Sequence, residues 1–139
     1  MEFKASFSDP IYPDLIELGD ISHDSIIDHF EKMDWIGYLQ KSQTAKLDDI
    51  YYHPTFEVQN KETKDKLGIS AVGNPNEFEF NIIYTRTKKV KVKSFFGPKE
   101  KTIERYFTII KSQTKNDVLD CLNALIRKDT EYLSVKIGQ

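Results

Sequence analysis

Between Tyr51 and Arg86 the chain alternates apolar and polar positions in three consecutive runs, YYHPTFEVQN, LGISAV and NEFEFNIIYTR. In the last run Phe78, Phe80, Ile82 and Tyr84 interleave with Glu79, Asn81 and Thr85, the two-residue period of a strand with one buried face. The material between the runs is turn chemistry. Asn60 to Lys66 is polar and charged, and Gly73-Asn74-Pro75-Asn76 combines a residue free to take positive φ, a proline and two asparagines. A three-stranded antiparallel meander is therefore the predicted centre of the fold.

Upstream, Phe3, Ala5 and Phe7 occupy alternate positions and predict a short strand at an edge of the same sheet. Pro10 and Pro13 bracket a loop, after which Asp14 to Leu18 is expected to form one helical turn. Ser22 is placed to cap a helix in which Ile26, Ile27, Phe30 and Met33 share one face and Asp24, Asp28 and Glu31 the other. Trp35 poses a choice. If the helix stops near Met33 the indole is core, and if it continues the indole stands exposed among carboxylates; the burial preference of large aromatics favours the first. Gly37 to Ala45 reads as a helix end and polar connection, and His53, preceding Pro54, is biased to extended backbone.

Downstream, Lys89-Val90-Lys91-Val92-Lys93 predicts a strand with lysines on one face, Gly97-Pro98-Lys99-Glu100 a turn, and Ile103 to Ile110 another strand. The best-defined helix spans Lys115 to Lys128. Thr114 caps it, and Val118, Leu119, Cys121, Leu122, Leu125 and Ile126 line one apolar face. Tyr132, Leu133, Val135 and Ile137 then form a segment that packs back on the sheet. The expected architecture is α+β: an antiparallel sheet of four to six strands carrying an acidic N-terminal helix and a C-terminal helix.

Composition bounds this picture more than it redraws it. With 139 residues, 39% apolar and 30% charged, the chain has the make-up of one globular domain spanning residues 1–139. A single cysteine excludes an internal disulfide and fits a reducing compartment. The first residues show no apolar signal region, and no run of 18 apolar residues occurs, so the expected location is the cytoplasm, without membrane association. Charge is the informative quantity. The net value is −2, yet eleven acids against four lysines leave the first fifty residues at −7 and the rest at +5, with the basic charge concentrated from Arg86 to Lys101.

Candidate chemistry is sparse. His23, His29 and His53 form no metal-binding pair on a helix, and no cofactor fingerprint is present. Cys121 lies on an apolar helix face, and no nucleophile elbow surrounds any serine. No catalytic residue, metal ligand or cofactor is therefore assigned, and the chain is not expected to be an enzyme. Asp48, Asp49 and His53 can be grouped as an acid–base cluster, and Asp49, His53 and Tyr84 as the polar part of a ligand pocket, but strand entry accounts for their positions equally well. Lys88 to Lys101, with Phe95 and Phe96, has the make-up of a nucleic-acid module centred on Lys89, Lys91, Lys93 and Phe95. An isoelectric point near 5.9 and the acidic first third disfavour it, and a hairpin with solvated lysines and buried aromatics is the plainer expectation.

In layout the chain resembles the immunity proteins of bacterial polymorphic toxin systems, small partners that neutralise toxins delivered by contact-dependent or type VI routes. The likeness lies in the acidic helix ending near Asp34-Trp35, the strand entry HPTFEVQN from His53, the stretch ISAVGNPNEFEFNIIYTR from Ile69, and the closing helix TKNDVLDCLNALIRKDTEYL from Thr114. The resemblance implies a non-enzymatic inhibitor that occludes the active site of a cognate toxin, and the acidity implies a nuclease with a basic groove. Asp24, Asp28, Glu31, Asp34 and Trp35 would form the contact set, the carboxylates fixing register and Trp35 serving as an anchor. The basic Lys88 to Lys101 stretch departs from that pattern.

Overall fold

The computed structural model describes residues 2–139. Six antiparallel strands form one sheet: β1 (Phe3–Ser8), β2 (Ile16–Ile21), β3 (Thr55–Asn60), β4 (Lys66–Asn74), β5 (Glu77–Ser94) and β6 (Gly97–Gln113), in the order β2-β1-β3-β4-β5-β6. Four helices complete the α+β fold: α1 (Ile26–Lys32), α2 (Trp35–Thr44), α3 (Lys115–Ile126) and α4 (Thr130–Ile137). All of the predicted meander is present, and β3, β4 and β5 are its consecutive strands.

Register explains which residues reach the core. Opposed residues share a face, so the pairings Phe7↔Phe56, Phe56↔Ile69, Ile69↔Ile82 and Ile82↔Ile110 lay one apolar row across five strands. A second row runs Ala5, Val58, Leu67, Tyr84 and Thr108. The helices cover this face. Leu122, Leu125 and Val118 of α3 and Leu133 and Ile137 of α4 join Ile26, Phe30, Trp35 and Leu39 of α1 and α2 in one buried cluster with the two rows. Each large side chain so buried contributes roughly 1.5–3 kcal/mol relative to exposure. The opposite face stays open, with Phe107 and Ile109 exposed among Thr85, Lys66 and Glu57.

Several local expectations are corrected. Strand β1 is interior, paired on both sides, because residues 16–21 form the strand β2 rather than a helical turn. Residues Ile16 and Leu18 are exposed there, and it is the backbone ladder to β1 that holds β2 at the edge. The Ser22 side chain accepts no capping bond; a short 3-10 turn at His23–Ser25 intervenes before α1. Residues 37–44 are helical. Met33 is extended, Asp34 caps the new helix by accepting from the Gly37 N–H at 3.0 Å, and Trp35 and Leu39 are the two side chains that α2 buries. The last segment packs back as the helix α4, capped by Asp129.

Strand β5 is one continuous strand of 18 residues rather than two, and β6 has 17. The β4 pairing ends at Lys66↔Thr85, whereas β5 and β6 stay paired from Arg86↔Tyr106 to Ser94↔Gly97. Beyond Arg86 the two strands therefore leave the sheet as a free two-stranded ribbon. Its turn falls at Phe95 and Phe96, before the Gly97-Pro98 that was expected to form it, and the Ser94 hydroxyl closes it by donating to the Gly97 carbonyl. The two phenylalanines are 97% and 89% exposed, so the expectation that they are core does not hold. At the other end of β5, Gly73 takes φ 133° as β4 turns into β5, and a Cβ there would stand 2.6 Å from the Glu77 carbonyl oxygen.

Candidate docking site

The end of α1 and the start of α2 bring four aromatic rings together. Trp35 lies 5.8 Å from Phe30 and 5.4 Å from Phe80, centre to centre, and Phe80 lies 5.6 Å from Phe78. Most of these contacts are edge-to-face, the geometry that aromatic quadrupoles prefer. They form because Met33 breaks the first helix and Asp34 starts the second, which turns the indole inward over Phe80 rather than outward among the acids.

These rings wall a groove of about 390 Å³ that also touches Glu31, Glu79, Ser112, Gln113, Thr114 and Lys115. It opens where β6 passes into α3. The Glu31 carboxylate and the Lys115 ammonium at the rim are 3.8 Å apart, both largely exposed, so this ion pair is weak and easily exchanged for another partner.

Trp35 is 8% exposed and therefore forms groove wall and core, not a protruding anchor. Its Nε1–H is buried and has no hydrogen-bond partner. Asp24, Asp28, Glu31 and Asp34 are all exposed, and the spacing of the first three keeps them on the outer side of the α1 turn and helix. Asp24 stands 3.0 Å from the His23 ring, and Asp34 spends one oxygen on the α2 cap. Of the predicted contact set, Glu31 and Trp35 line the aromatic groove, whereas Asp24, Asp28 and Asp34 do not. Phe30, Phe78 and Phe80 were not singled out, and only the alternation in β5 together with the apolar face of α1 hinted at them.

The other sequence candidates do not converge. Asp48, Asp49 and His53 are exposed, in and after a 3-10 turn, whereas Tyr84 is buried on the core face and donates to Asp65 at 3.3 Å. Burial pushes the Tyr84 hydroxyl up to about 12, with the Asp65 charge adding to it. Burial likewise pushes the lone Cys121 thiol up to about 11, which keeps it protonated and unreactive. Among the described residues no group of three or more His, Cys, Asp or Glu side chains is placed to hold a metal ion. No helix among them is long and apolar enough to cross a membrane.

Comparison with protein-family models, with curated proteins and with solved structures gives no match.

Proposed function

We propose that this chain is a non-enzymatic binding protein of the immunity type, which neutralises a cognate bacterial toxin in the cytoplasm by covering its active site. The observation that carries the proposal is the aromatic groove of Phe30, Trp35, Phe78 and Phe80 opening beside the carboxylates of Glu31 and Glu79, with Asp24, Asp28 and Asp34 exposed on the neighbouring turn and helices. Such a combination suits a protein surface that presents an apolar side chain ringed by lysines or arginines. The anchor would fill the groove, where desolvated aromatic contacts supply most of the affinity, and the surrounding charges would set orientation and association rate. A nuclease whose substrate groove is basic fits this description.

Binding accounts for the groove better than catalysis does. Its walls are mostly hydrocarbon, and the two opposite charges nearest one another at its rim, Glu31 and Lys115, face each other. Capture from a lysate of the source organism, followed by an activity assay of the captured protein, tests the proposal. Stoichiometric recovery of one toxin that the chain silences is the expected result. Charge reversal in the double variant D28K/E31K should weaken that complex at least tenfold while leaving the thermal midpoint nearly unchanged, since both side chains are exposed. Unaltered inhibition by the double variant would remove this face from the interface.

A further inference from the structure

The free ribbon of β5 and β6 lies outside the acidic face and is built differently from it. Between Thr87 and Arg105, against Glu100 (3.6 Å from Lys89) and Glu104, it carries Arg105 and six lysines. Register divides the lysines evenly. Lys89, Lys91 and Lys93 oppose Thr102, Glu100 and Pro98 on one face, whereas Lys88, Lys99 and Lys101 share the other with Val90, Val92 and Ile103. Both faces are therefore basic along a length of about 25 Å at ~3.3 Å per residue. At the tip the Phe95 and Phe96 rings stand edge to face, 5.4 Å apart and almost wholly in solvent.

We infer that this ribbon is a nucleic-acid arm that enters a groove of duplex DNA, with Phe95 and Phe96 as an apolar wedge against the base steps. Charge on both faces suits a ligand that flanks the arm on two sides, as the phosphate walls of a groove do. Two-stranded ribbons enter either groove of B-form DNA, and in the minor groove phenylalanine is among the side chains that wedge between base steps. A protein partner suits the arm less well, because lysine is depleted in protein interfaces. An anionic bilayer met tip-first would engage only the lysines near Phe95, since charges further back lie beyond a Debye length of about 8 Å.

The acidic half of the molecule does not oppose this. The groove end of β5 at Phe80 and the ribbon root at Lys88 are eight residues apart in one extended strand, about 26 Å. Across that distance the two fields are screened from one another at physiological salt.

Fluorescence anisotropy with a labelled duplex of about 20 bp tests the inference, a length well beyond the seven or so steps that the arm spans at roughly 3.4 Å each. The full chain should bind it, and raising salt from about 50 to about 200 mM should cost at least ~100-fold in affinity if four or more lysines displace counterions. The variant F95S/F96S should lose about tenfold or more while keeping its thermal midpoint, because neither ring touches the core. K91E/K99E, one reversal on each face, should abolish binding at the lower salt. Single strands bound as tightly as the duplex, binding to phosphatidylserine vesicles but not to DNA, or full affinity in F95S/F96S would each overturn the duplex-wedge assignment.

Discussion

Arg86 donates through Nη2 to the carbonyl oxygen of Gly138 at 2.7 Å, joining residues 52 positions apart in the chain. Its other terminal nitrogen donates to Thr108 Oγ1 at 2.6 Å and to the Tyr84 carbonyl at 3.1 Å. The guanidinium is flanked by the Tyr84 and Tyr106 rings, at 4.3 and 4.7 Å from their centres. Among the described residues no carboxylate comes within 4.0 Å of it. One buried cation thus fastens the end of α4 to β5 and β6 at the point where the ribbon leaves the sheet. Replacement by alanine removes a donor from the Thr108 hydroxyl and from the carbonyls of Tyr84 and Gly138, the last keeping only the Thr108 hydroxyl at 3.2 Å, and opens a space between two rings. Arg86→Ala is expected to cost about 3 kcal/mol in urea unfolding. Arg86→Lys should recover less than half of that, because an ammonium cannot bridge the same acceptors in a plane.

Beside that residue, the Tyr84 hydroxyl donates to Asp65, and burial raises both groups above their ordinary values. The folded protein holds these protons more tightly than the unfolded chain does, so stability is fully present below each ordinary value and is lost as pH rises through the raised one. For Tyr84 the loss runs from the ordinary 10.0 to about 12. Tyr84→Phe should shrink the alkaline decline, to which the raised Cys121 also contributes from 9.0 to about 11, and Asp65→Asn should flatten the weaker decline that begins above the ordinary 3.8. Thermal midpoints measured across both ranges check the two variants separately.

The strands of the meander were legible because alternation is a local property, and the register of β3, β4 and β5 follows from keeping Phe56, Ile69 and Ile82 on one face. What could not be read locally was decided by pairing or by caps. Residues 16–21 have no apolar alternation that burial exploits; they are a strand because β1 offers them a ladder. The start of α2 rests on one carboxylate, Asp34, that serves equally well as part of an acidic run. At the candidate site, Glu31 and Trp35 were grouped in one contact set although burial was the favoured reading of Trp35, and the aromatic groove between them needs Phe78 and Phe80 from a strand more than forty residues away. The ribbon was readable as a basic hairpin. That its tip is Phe95-Phe96 rather than Gly97-Pro98 was set by the register of the preceding ladder.

Thr114 and Asp117 close a reciprocal cap on α3, the Thr114 oxygen accepting from the Asp117 N–H at 3.2 Å and the Asp117 carboxylate from the Thr114 N–H at 2.9 Å. Because α3 carries Val118, Cys121, Leu122 and Leu125 into the core, fraying of its first turn is transmitted to the sheet. Thr114→Ala should cost about 1 kcal/mol, read from the denaturation midpoint. The backbone N–H of Thr114 holds the Asp117 carboxyl below the usual carboxylate range, with the Lys136 ammonium adding to it. The stability this gives is present above the ordinary 3.8 and is lost as pH falls through the lowered value. Asp117→Asn should therefore narrow the difference in stability between neutral and strongly acidic solution.

Trp35 separates the structural role of the groove from its proposed binding role. The indole is the only tryptophan in the chain, packs against Phe7, Phe30 and Phe80, and carries a buried N–H with no partner. An unpaired buried donor costs roughly 1–3 kcal/mol, so removing it offsets part of what is lost when the larger ring is replaced. Trp35→Phe is expected to lower stability by less than about 1.5 kcal/mol, whereas Trp35→Ala should cost about 3–5 kcal/mol by opening a cavity between three rings. Urea titration followed by far-ultraviolet dichroism gives both values without relying on the deleted fluorophore. In the native chain, emission should be blue-shifted, as for an indole out of water. If a partner side chain fills the groove against this ring, the emission should change in intensity on complex formation, and the change should titrate at one partner per chain. A stoichiometric complex that leaves the Trp35 emission untouched would place the interface elsewhere.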